Sequence, residues 1–244
     1  MRLTRCPVEL PLAVGQTVPL PEEAANHLLR VLRLREGDAC VLFNGDGRDY
    51  AATLVAAGKR DAQVRIDDAQ PLDNESPLAI TLLQGIARGE KMDLILQKAT
   101  ELGVAAIVPV NAERTEVKLD AARAEKRMAH WRSVVGSACG QSGRARIPTI
   151  APPLNLAAAV ASLPEQTLRL TLDPQGEHRL ATLAEAPANG VVVAIGPEGG
   201  WSPRDRRQLA DAGFQGLQLG PRILRTETAG LAAIAALQAR LGDL

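Results

Sequence analysis

The sequence predicts an α/β protein whose mainly parallel sheet, with helices on its faces, follows a small and mostly β N-terminal unit. Three observations predict this class. Strand and helix patterns alternate after residue 77, a hairpin signal lies between residues 39 and 55, and a polar stretch at 67–77 separates the two patterns. We predict an N-terminal domain over 1–70, a linker over 71–77 and a second domain over 78–244.

The N-terminal domain is predicted from short apolar runs separated by turn residues. The runs at 39–43 and 50–55 flank the tetrapeptide Asn-Gly-Asp-Gly, which is a strong hairpin signal. The alternating run at 62–66 predicts a further strand. Before the hairpin, the segment 22–38 predicts a short helix that enters a strand and a turn at Gly37 and Asp38.

The second domain is predicted from five apolar runs and three helical stripes. The runs occupy residues 78–87, 104–110, 167–172, 190–196 and 214–220. The first run is nearly continuous, as expected for a strand that is buried on both faces. Helices are predicted at 91–102, at about 121–139 and at the C-terminus. Their apolar stripes are Met92, Leu96, Ala99 and Leu102; Met128, Trp131, Val135 and Ala138; and Leu231, Ile234, Leu237 and Leu241.

Composition excludes several function classes. The net charge is zero, so no overall charge attracts nucleic acid, although residues 77–146 carry more bases than acids. Aromatic residues make up only 2% of the chain, which argues against a base-stacking platform. No apolar run is long enough to span a membrane, and prolines and glycines interrupt residues 1–15 too early for a signal peptide. We therefore expect a cytoplasmic protein.

The cysteines and histidines do not form a recognisable site. The three cysteines lie far apart and form no Cys-x-x-Cys pair, and the three histidines are scattered singly. Zinc sites need such residues at close spacing, and disulfide frameworks need an even number of cysteines. The sequence therefore predicts neither a metal site nor a disulfide. The residues concerned are Cys6, Cys40, Cys139, His27, His130 and His178.

Two loops carry the signals for a ligand site. The segment GPEGGWSPRD, 196–205, follows one predicted strand, and GPRILRTETAG, 220–230, follows another. Ligands of parallel sheets bind beyond the carboxyl ends of the strands, where both loops would lie. A helix start is marked after the first loop, with Ser202 as the N-cap, Pro203 at the first helical position and Asp205 completing a capping box.

The first loop does not fit a phosphate site. It lacks the Gly-Lys-Ser/Thr of a Walker loop, and its glycine spacing departs from GxGxxG. Glu198 would also repel a polyphosphate. A ligand that offers hydroxyls, an adenine amine and a positive centre suits the loop better, and S-adenosylmethionine has all three. The alternative is a tight turn that only caps the next helix. The second Gly-Pro loop favours a ligand site.

These residues resemble a known family. GPEGGWSPRD and LGPRILRTETA are similar to the signature pair of the SPOUT class of RNA methyltransferases, and more narrowly of the ribosomal RNA small subunit methyltransferase E family. The resemblance extends upstream through LQKATELGVAAIVPV, GQSGRARIPTI and HLLRVLRLREGD, so that it covers nearly the whole chain. Trp201 and Asp205 depart conservatively from the family pattern, where an aliphatic or phenylalanine residue and a glutamate are more usual.

The resemblance implies both a fold and a function. The fold would be a PUA-like β-barrel that binds RNA, followed by a SPOUT domain with a trefoil knot, in a homodimer. The activity would be S-adenosylmethionine-dependent methylation of uridine N3 in 16S rRNA, near the decoding centre of the assembled small subunit. The alternatives are a methyltransferase of this fold that acts on another RNA or position, and a non-catalytic RNA-binding protein.

The resemblance also implies roles for particular residues. Arg225 would stabilise the charge that develops on the uridine or grip a phosphate, and Glu227 would be the general base. A carboxylate in a helix's first turn is also favoured by the helix dipole alone. The residues expected at the cofactor are Leu172, Gly196, Glu198, Gly199, Gly200, Leu219, Gly220, Ile223, Leu224 and Thr226.

Basic residues would supply the contacts to RNA phosphates. Most of those at 123–132 avoid the apolar stripe of their predicted helix, which is also what a solvated helix face does. The predicted RNA contacts are Arg30, Arg33, Arg123, Arg127, Arg144 and Arg146, with Arg35, Lys126 and Arg132 as further candidates.

Overall fold

The computed structural model describes residues 3–58, 61–117, 121–183 and 188–244, with the side chains of residues 121 and 122 outside the described part. The chain packs as two compact units. The first comprises Met1–Glu75 and Gly136–Ile147, and the second comprises Ser76–Val135 and Pro148–Leu244. Residues 136–147 therefore pack with the N-terminal part, although the sequence places them inside the second domain. The division at 1–70, 71–77 and 78–244 stays a prediction.

The first unit contains a five-stranded sheet in the order β1-β3-β4-β5-β2. Its strands are β1 (Arg5–Pro7), β2 (Thr17–Pro19), β3 (Ala39–Phe43), β4 (Arg48–Ala57) and β5 (Ala62–Pro71). β3 and β4 form the predicted hairpin, with Leu42 opposite Tyr50 and two positive-φ glycines, Gly45 and Gly47, in its loop. Alternating side chains of β4 and β5 bury one apolar face.

A short helical segment packs on this sheet. It consists of α1 (Glu22–Asn26) and a π-helical turn over His27–Val31. Ala24, Ala25 and Leu28 are buried in the core of the unit, which anchors the segment. The predicted short helix is therefore confirmed.

The second unit is built on a parallel sheet whose main path runs β11-β13-β10-β12-β6-β7-β8, with β9 also paired to β7. All of its pairings are parallel. The long strands are β6 (Ile80–Gly85), β7 (Ala106–Asn111), β10 (Leu168–Leu172), β12 (Val191–Ile195) and β13 (Gln215–Gln218), as predicted. The short strands are β8 (Thr149–Ile150), β9 (Leu154–Asn155) and β11 (His178–Arg179).

Four helices belong wholly to this unit: α2 (Glu90–Glu101), α4 (Leu156–Ala161), α5 (Pro203–Asp211) and α6 (Thr226–Leu241), with a 3-10 turn at Leu180–Thr182. A fifth, α3 (Ala121–Ser142), begins in this unit, and its last residues, from Gly136, belong to the first unit. α6 packs on β6 and β12 and against α2. A separate apolar cluster joins the sheet to α4 and α5 and includes Trp201. The predicted stripe of α3, Met128, Trp131, Val135 and Ala138, is buried.

Two features of the structure go beyond the sequence-based expectations. The polar stretch at 67–77 begins as a strand, because β5 continues to Pro71 and pairs with β4, with Pro71 opposite Arg48. Backbone hydrogen bonds to a neighbouring strand outweigh the low strand propensity of its aspartates. The sequence also gave no signal for α4, since six residues are too short for a helical period to show.

No helix in the described part of the chain is both long and apolar enough to cross a membrane.

Candidate active site

The two Gly-Pro loops lie at carboxyl ends of the parallel sheet, as expected. The first follows β12 and the second follows β13, and in the sheet β10 alone separates these strands. β6 borders β12 on the other side, so the segment after β6 is a third loop at this edge. Three chain segments that are distant in sequence therefore end at one edge of the sheet.

The first loop is a tight turn that leads into a capped helix. The Gly200 N–H donates to the Pro197 carbonyl at 2.8 Å, and Gly200 has a positive φ of 66°. Ser202 and Asp205 form the predicted capping box, with both reciprocal hydrogen bonds at 3.0 Å. Both side chains are buried, so the box fixes the start of α5 and with it the end of the loop.

Gly85, at the end of β6, lets the first loop pack closely on the neighbouring strand. A Cβ at Gly85 would lie 2.4 Å from Pro197 N and 2.5 Å from Pro197 Cδ. Atoms do not approach so closely, so any larger residue at 85 would displace the Pro-Glu segment. The shape of the loop thus depends on a glycine outside it.

A hydrogen-bond chain joins the two loops. The Thr226 hydroxyl, at the start of α6, donates to the Gly196 carbonyl at 2.6 Å. Gln84 is fully buried, and its Nε2 donates to Thr226 Oγ1 at 3.1 Å and to the Gly85 carbonyl at 2.8 Å. A single buried hydroxyl therefore connects the end of β6, the first loop and the helix that follows the second loop.

Two carboxylates meet one ammonium beside these loops. Lys91 Nζ lies 3.5 Å from Glu198 Oε1 and 3.8 Å from Glu227 Oε2. Glu198 Oε1 also accepts the Arg88 backbone N–H at 3.0 Å. Glu227 Oε2 is buried without a hydrogen-bond partner among the described residues. Glu227 and Lys91 line an open depression of about 540 Å³ with Glu90, Asp93, Leu94, Gln97 and Val134.

The pKa of Glu198 lies below its ordinary value. Partial burial raises this pKa, but it is outweighed by the hydrogen bond from the Arg88 N–H, by one from its own backbone N–H and by the ammonium of Lys91. Glu198 is therefore a carboxylate at neutral pH. A negative charge in the glycine-rich loop is consistent with the argument against a polyphosphate ligand.

The second loop exposes most of its side chains. Arg225 is exposed at the N-cap position of α6, and its guanidinium makes no hydrogen bond or ion pair within the described residues. Ile223 is 88% exposed, which is unusual for a large apolar residue. Leu219, Gly220 and Leu224 are half-buried.

The remaining predicted cofactor residues lie on the same edge of the sheet. Leu172 ends β10 and is half-buried. The Gly199 carbonyl accepts a hydrogen bond from Arg114 Nη1 at 3.1 Å. The structure thus brings Gly196, Thr226, Glu198 and Glu227 together, directly or through Lys91.

The predicted RNA contacts have different environments. Arg30, Arg33, Arg123 and Arg146 are exposed and Arg127 is half-buried, so these stay predictions. For Arg144, the structure argues against the predicted RNA contact. Its side chain is 7% exposed and pairs with Glu75, with Nε 3.1 Å from Oε2. A buried guanidinium that is already paired with a carboxylate is not available to bind an RNA phosphate.

The chain matches two family models. Residues 74–238 match the RNA methyltransferase domain, and residues 20–67 match the RNA methyltransferase PUA domain. A ribosomal RNA small subunit methyltransferase E of Buchnera aphidicola is 32% identical over 243 residues, which cover 100% of this chain and 98% of that protein. The chain belongs to the ribosomal RNA small subunit methyltransferase E family.

Solved structures of similar proteins confirm the predicted fold class, a SPOUT-type α/β domain preceded by a PUA-like domain. The crystal structure of the methyltransferase E from Neisseria gonorrhoeae, bound to S-adenosylmethionine, is 43% identical with a TM-score of 0.91. A putative methyltransferase from Legionella pneumophila, in complex with the same cofactor, is 38% identical with a TM-score of 0.95. Each match covers 100% of both chains.

Sequence reasoning about the site missed Lys91, Gln84 and Gly85. Gln84 and Gly85 end β6, and Lys91 lies in the first turn of α2. A signal was available, because the segment Arg-Gly-Glu-Lys follows the first apolar run of the second domain and leads into a helix. The importance of this segment follows from the pairing of β6 with β12. Local sequence patterns do not predict the order of strands in a sheet.

Proposed function

We propose that the protein methylates N3 of a uridine in 16S rRNA, near the decoding centre of the assembled small subunit, with S-adenosylmethionine as the methyl donor. Family membership and two similar structures that hold this cofactor support the proposal. The observation that carries it is the hydrogen bond from Thr226 to the Gly196 carbonyl, which joins the two glycine loops at the start of α6. Arg225 and Glu227 are the neighbours of Thr226 in the sequence, which supports a role for both at this site.

The loops fit the cofactor. Neither Gly200 nor Gly220 would meet any atom within 4 Å of an added Cβ, so both loops present open backbone surface. Glu198, a carboxylate at neutral pH, suits a cationic or hydroxyl-bearing ligand better than a phosphate. The remaining predicted residues, Leu172, Leu219, Ile223 and Leu224, would supply apolar contact for an adenine ring.

Methyl transfer then needs little from the protein beyond orientation, charge stabilisation and one proton transfer. The bound cofactor supplies a methyl group already activated on a sulfonium. Glu227 would accept the N3 proton of the uridine, because it lines the open depression and its Oε2 has no hydrogen-bond partner among the described residues. Arg225 would stabilise the negative charge that spreads onto the two uridine carbonyl oxygens. The exposed arginines Arg30, Arg33, Arg123, Arg127 and Arg146 would contact the RNA backbone.

We also propose a homodimer, as the family resemblance implies. The 16S rRNA substrate would place the protein in the cytoplasm. Light scattering measures the mass of the protein in solution, and a monomeric mass would contradict the dimer.

Mass spectrometry of small subunits tests the reaction. Unmodified subunits incubated with the protein and S-adenosylmethionine are expected to gain one 3-methyluridine in the 16S rRNA. Arg225→Ala and Glu227→Gln are each expected to lower the rate by about 100-fold or more, the usual effect of removing an electrostatic or general-base group. Arg222→Ala is the matched control for the loss of an exposed arginine in the same loop.

The outcomes separate the alternatives. A methyl group at another position or in another RNA would replace the proposed substrate. A failure to bind millimolar S-adenosylmethionine in calorimetry would favour a non-catalytic RNA-binding protein. Full activity of Arg225→Ala or Glu227→Gln would remove that residue from the mechanism.

A further inference from the structure

Among the described residues, Lys91 is the one that contacts acidic groups from both signature loops. It lies in the first turn of α2, after a strand that neither loop belongs to. Its ammonium is 3.5 Å from Glu198 Oε1 in the first loop and 3.8 Å from Glu227 Oε2 at the start of α6. The start of α2, the first loop and the start of α6 therefore come together at the ammonium group of Lys91.

The two carboxylates depend on this ammonium unequally. Glu198 also receives the Arg88 backbone N–H at 3.0 Å, so it keeps one partner without Lys91. Within the described residues, Lys91 is the only cationic group in ion-pair distance of Glu227, whose Oε2 has no hydrogen bond. Removing the ammonium would leave two neighbouring negative charges that are partly withdrawn from water, which repel each other.

Among the described residues, no cation other than Lys91 lies in ion-pair distance of Glu198 or Glu227. The other titratable groups that line the depression are Glu90 and Asp93, both acidic, and His130 of α3 lies with Nε2 2.9 Å from Asp93 Oδ2. The guanidinium of Arg88 pairs with Glu116 instead. β6 and β12, on which α6 packs, carry no charged side chain. The next lysine of α2, Lys98, pairs with Glu101 at 2.8 Å instead.

We propose that Lys91 is a positioning residue for methyl transfer, which holds Glu227 in place for the uridine proton and ties it to the Glu198 loop. This inference rests on the proposed function, in which Glu227 is the base. Lys91 itself exchanges no proton and forms no bond. During transfer the N3 proton passes to Glu227, the N3 electron pair forms the bond to the methyl carbon, and the carbon–sulfur electrons stay on sulfur. The persistent positive charge of Lys91 then orients the carboxylate in each turnover.

Kinetics of Lys91→Met and Lys91→Arg test the role. Lys91→Met is expected to lower kcat by about tenfold or more, with a smaller rise in KM for S-adenosylmethionine. Glu227 loses the only cation that pairs with it among the described residues, while Glu198 keeps the Arg88 N–H. Lys91→Arg, which keeps the charge, is expected to recover most of kcat. Lys98→Met is the matched control on the same helix and is expected to match the wild type.

A second measurement needs neither cofactor nor RNA. Carbon-13 NMR of the glutamate carboxyls, assigned with Glu198→Gln, follows the titration of Glu198 in the free protein. The pKa of Glu198 is expected to rise in Lys91→Met, because one of the groups that lower it is gone, and to stay low in Lys91→Arg and Lys98→Met.

The outcomes distinguish this inference from the proposed function. A wild-type kcat in Lys91→Met would overturn it. So would equal losses in Lys91→Met and Lys91→Arg with an unchanged Glu198 titration, which would indicate a purely structural role. An inactive wild-type protein would instead overturn the proposed function, and the titration would still show whether Lys91 acts on Glu198.

Discussion

At the scale of single residues, burial decides the chemistry of the three cysteines. Cys6, Cys40 and Cys139 are free and buried in the first unit. Burial raises their pKa values from 9.0 to about 12, about 11 and about 11. The thiols therefore stay neutral at physiological pH, and we expect them to resist alkylation in the folded protein.

The same thiols should make folding stability depend on alkaline pH. A raised pKa means that the folded protein binds the thiol proton more tightly than the unfolded chain does. The contribution of each thiol to the free energy of unfolding is therefore complete below pH 9.0 and is lost as the pH rises toward about 11. Each thiol would contribute a loss of about 1.4 kcal/mol per pH unit in that window. Urea unfolding at pH 8, 9 and 10 measures the slope.

Cys40→Ala provides the control for this dependence. The variant loses some stability at every pH because it leaves a small cavity, but its slope should be shallower than that of the wild type. An unchanged slope would show that other groups cause the alkaline loss.

At the scale of elements, helix starts and strand ends shape the candidate site. The capping box of α5 follows directly from the order Ser-Pro-Arg-Asp, so the sequence predicts it and the structure confirms it. The end of β6 is different. Gly85 has an ordinary backbone conformation, and only the position of Pro197 explains why a glycine is needed there.

Gly85→Ala should therefore disturb the first loop. The added methyl group has to displace Pro197, which we expect to cost about 1–3 kcal/mol and to weaken S-adenosylmethionine binding. Gly230→Ala, inside α6, is the contrasting control. The added Cβ would lie 3.5 Å from Gln84 Oε1 and from Ile195 Cγ1, which is an ordinary contact distance. It should be neutral or stabilise by about 0.5–1 kcal/mol. Urea unfolding and calorimetry measure both effects, and unchanged cofactor affinity in Gly85→Ala would contradict the steric argument.

At the scale of the whole molecule, the first unit is discontinuous in sequence. Arg5 Nη1 donates to the Cys139 carbonyl at 3.0 Å, Asn74 Nδ2 donates to the Gly143 carbonyl at 2.9 Å, and Arg144 pairs with Glu75. A Cβ at Gly140 would lie 3.0 Å from the Arg5 carbonyl oxygen. Residues 136–147 therefore form part of the packing of this unit.

A fragment of residues 1–75 should consequently fold poorly. Without 136–147, Glu75 loses Arg144, and Arg5 loses the Cys139 and Arg144 carbonyls while it keeps Asp49. We therefore expect no cooperative thermal transition in circular dichroism. Joining 136–147 to it through a flexible linker of about twelve residues should restore the transition. A cooperative transition in the shorter fragment would show that 1–75 is a complete domain.

Local patterns predicted most of this fold. Apolar runs, helical stripes, the Asn-Gly-Asp-Gly turn and the α5 cap depend on residues within a few positions of each other, which the sequence displays directly. The same holds for the two Gly-Pro loops, whose placement after strands follows from the alternation of strands and helices. Local patterns failed where distant segments meet, as in the pairing of 68–71 with β4 and the burial of Arg144 against Glu75.

The sequence by itself determined the longer elements, the fold class, the family and the two signature loops. Only the tertiary structure decided that Lys91 lies between Glu198 and Glu227, that Pro197 packs closely against Gly85, and that residues 136–147 pack with the N-terminal unit. The physical reason is that secondary structure follows from short-range periodicity and hydrogen bonding. Ion pairs and close packing depend on strand order and on contacts across tens of residues, which no local pattern records.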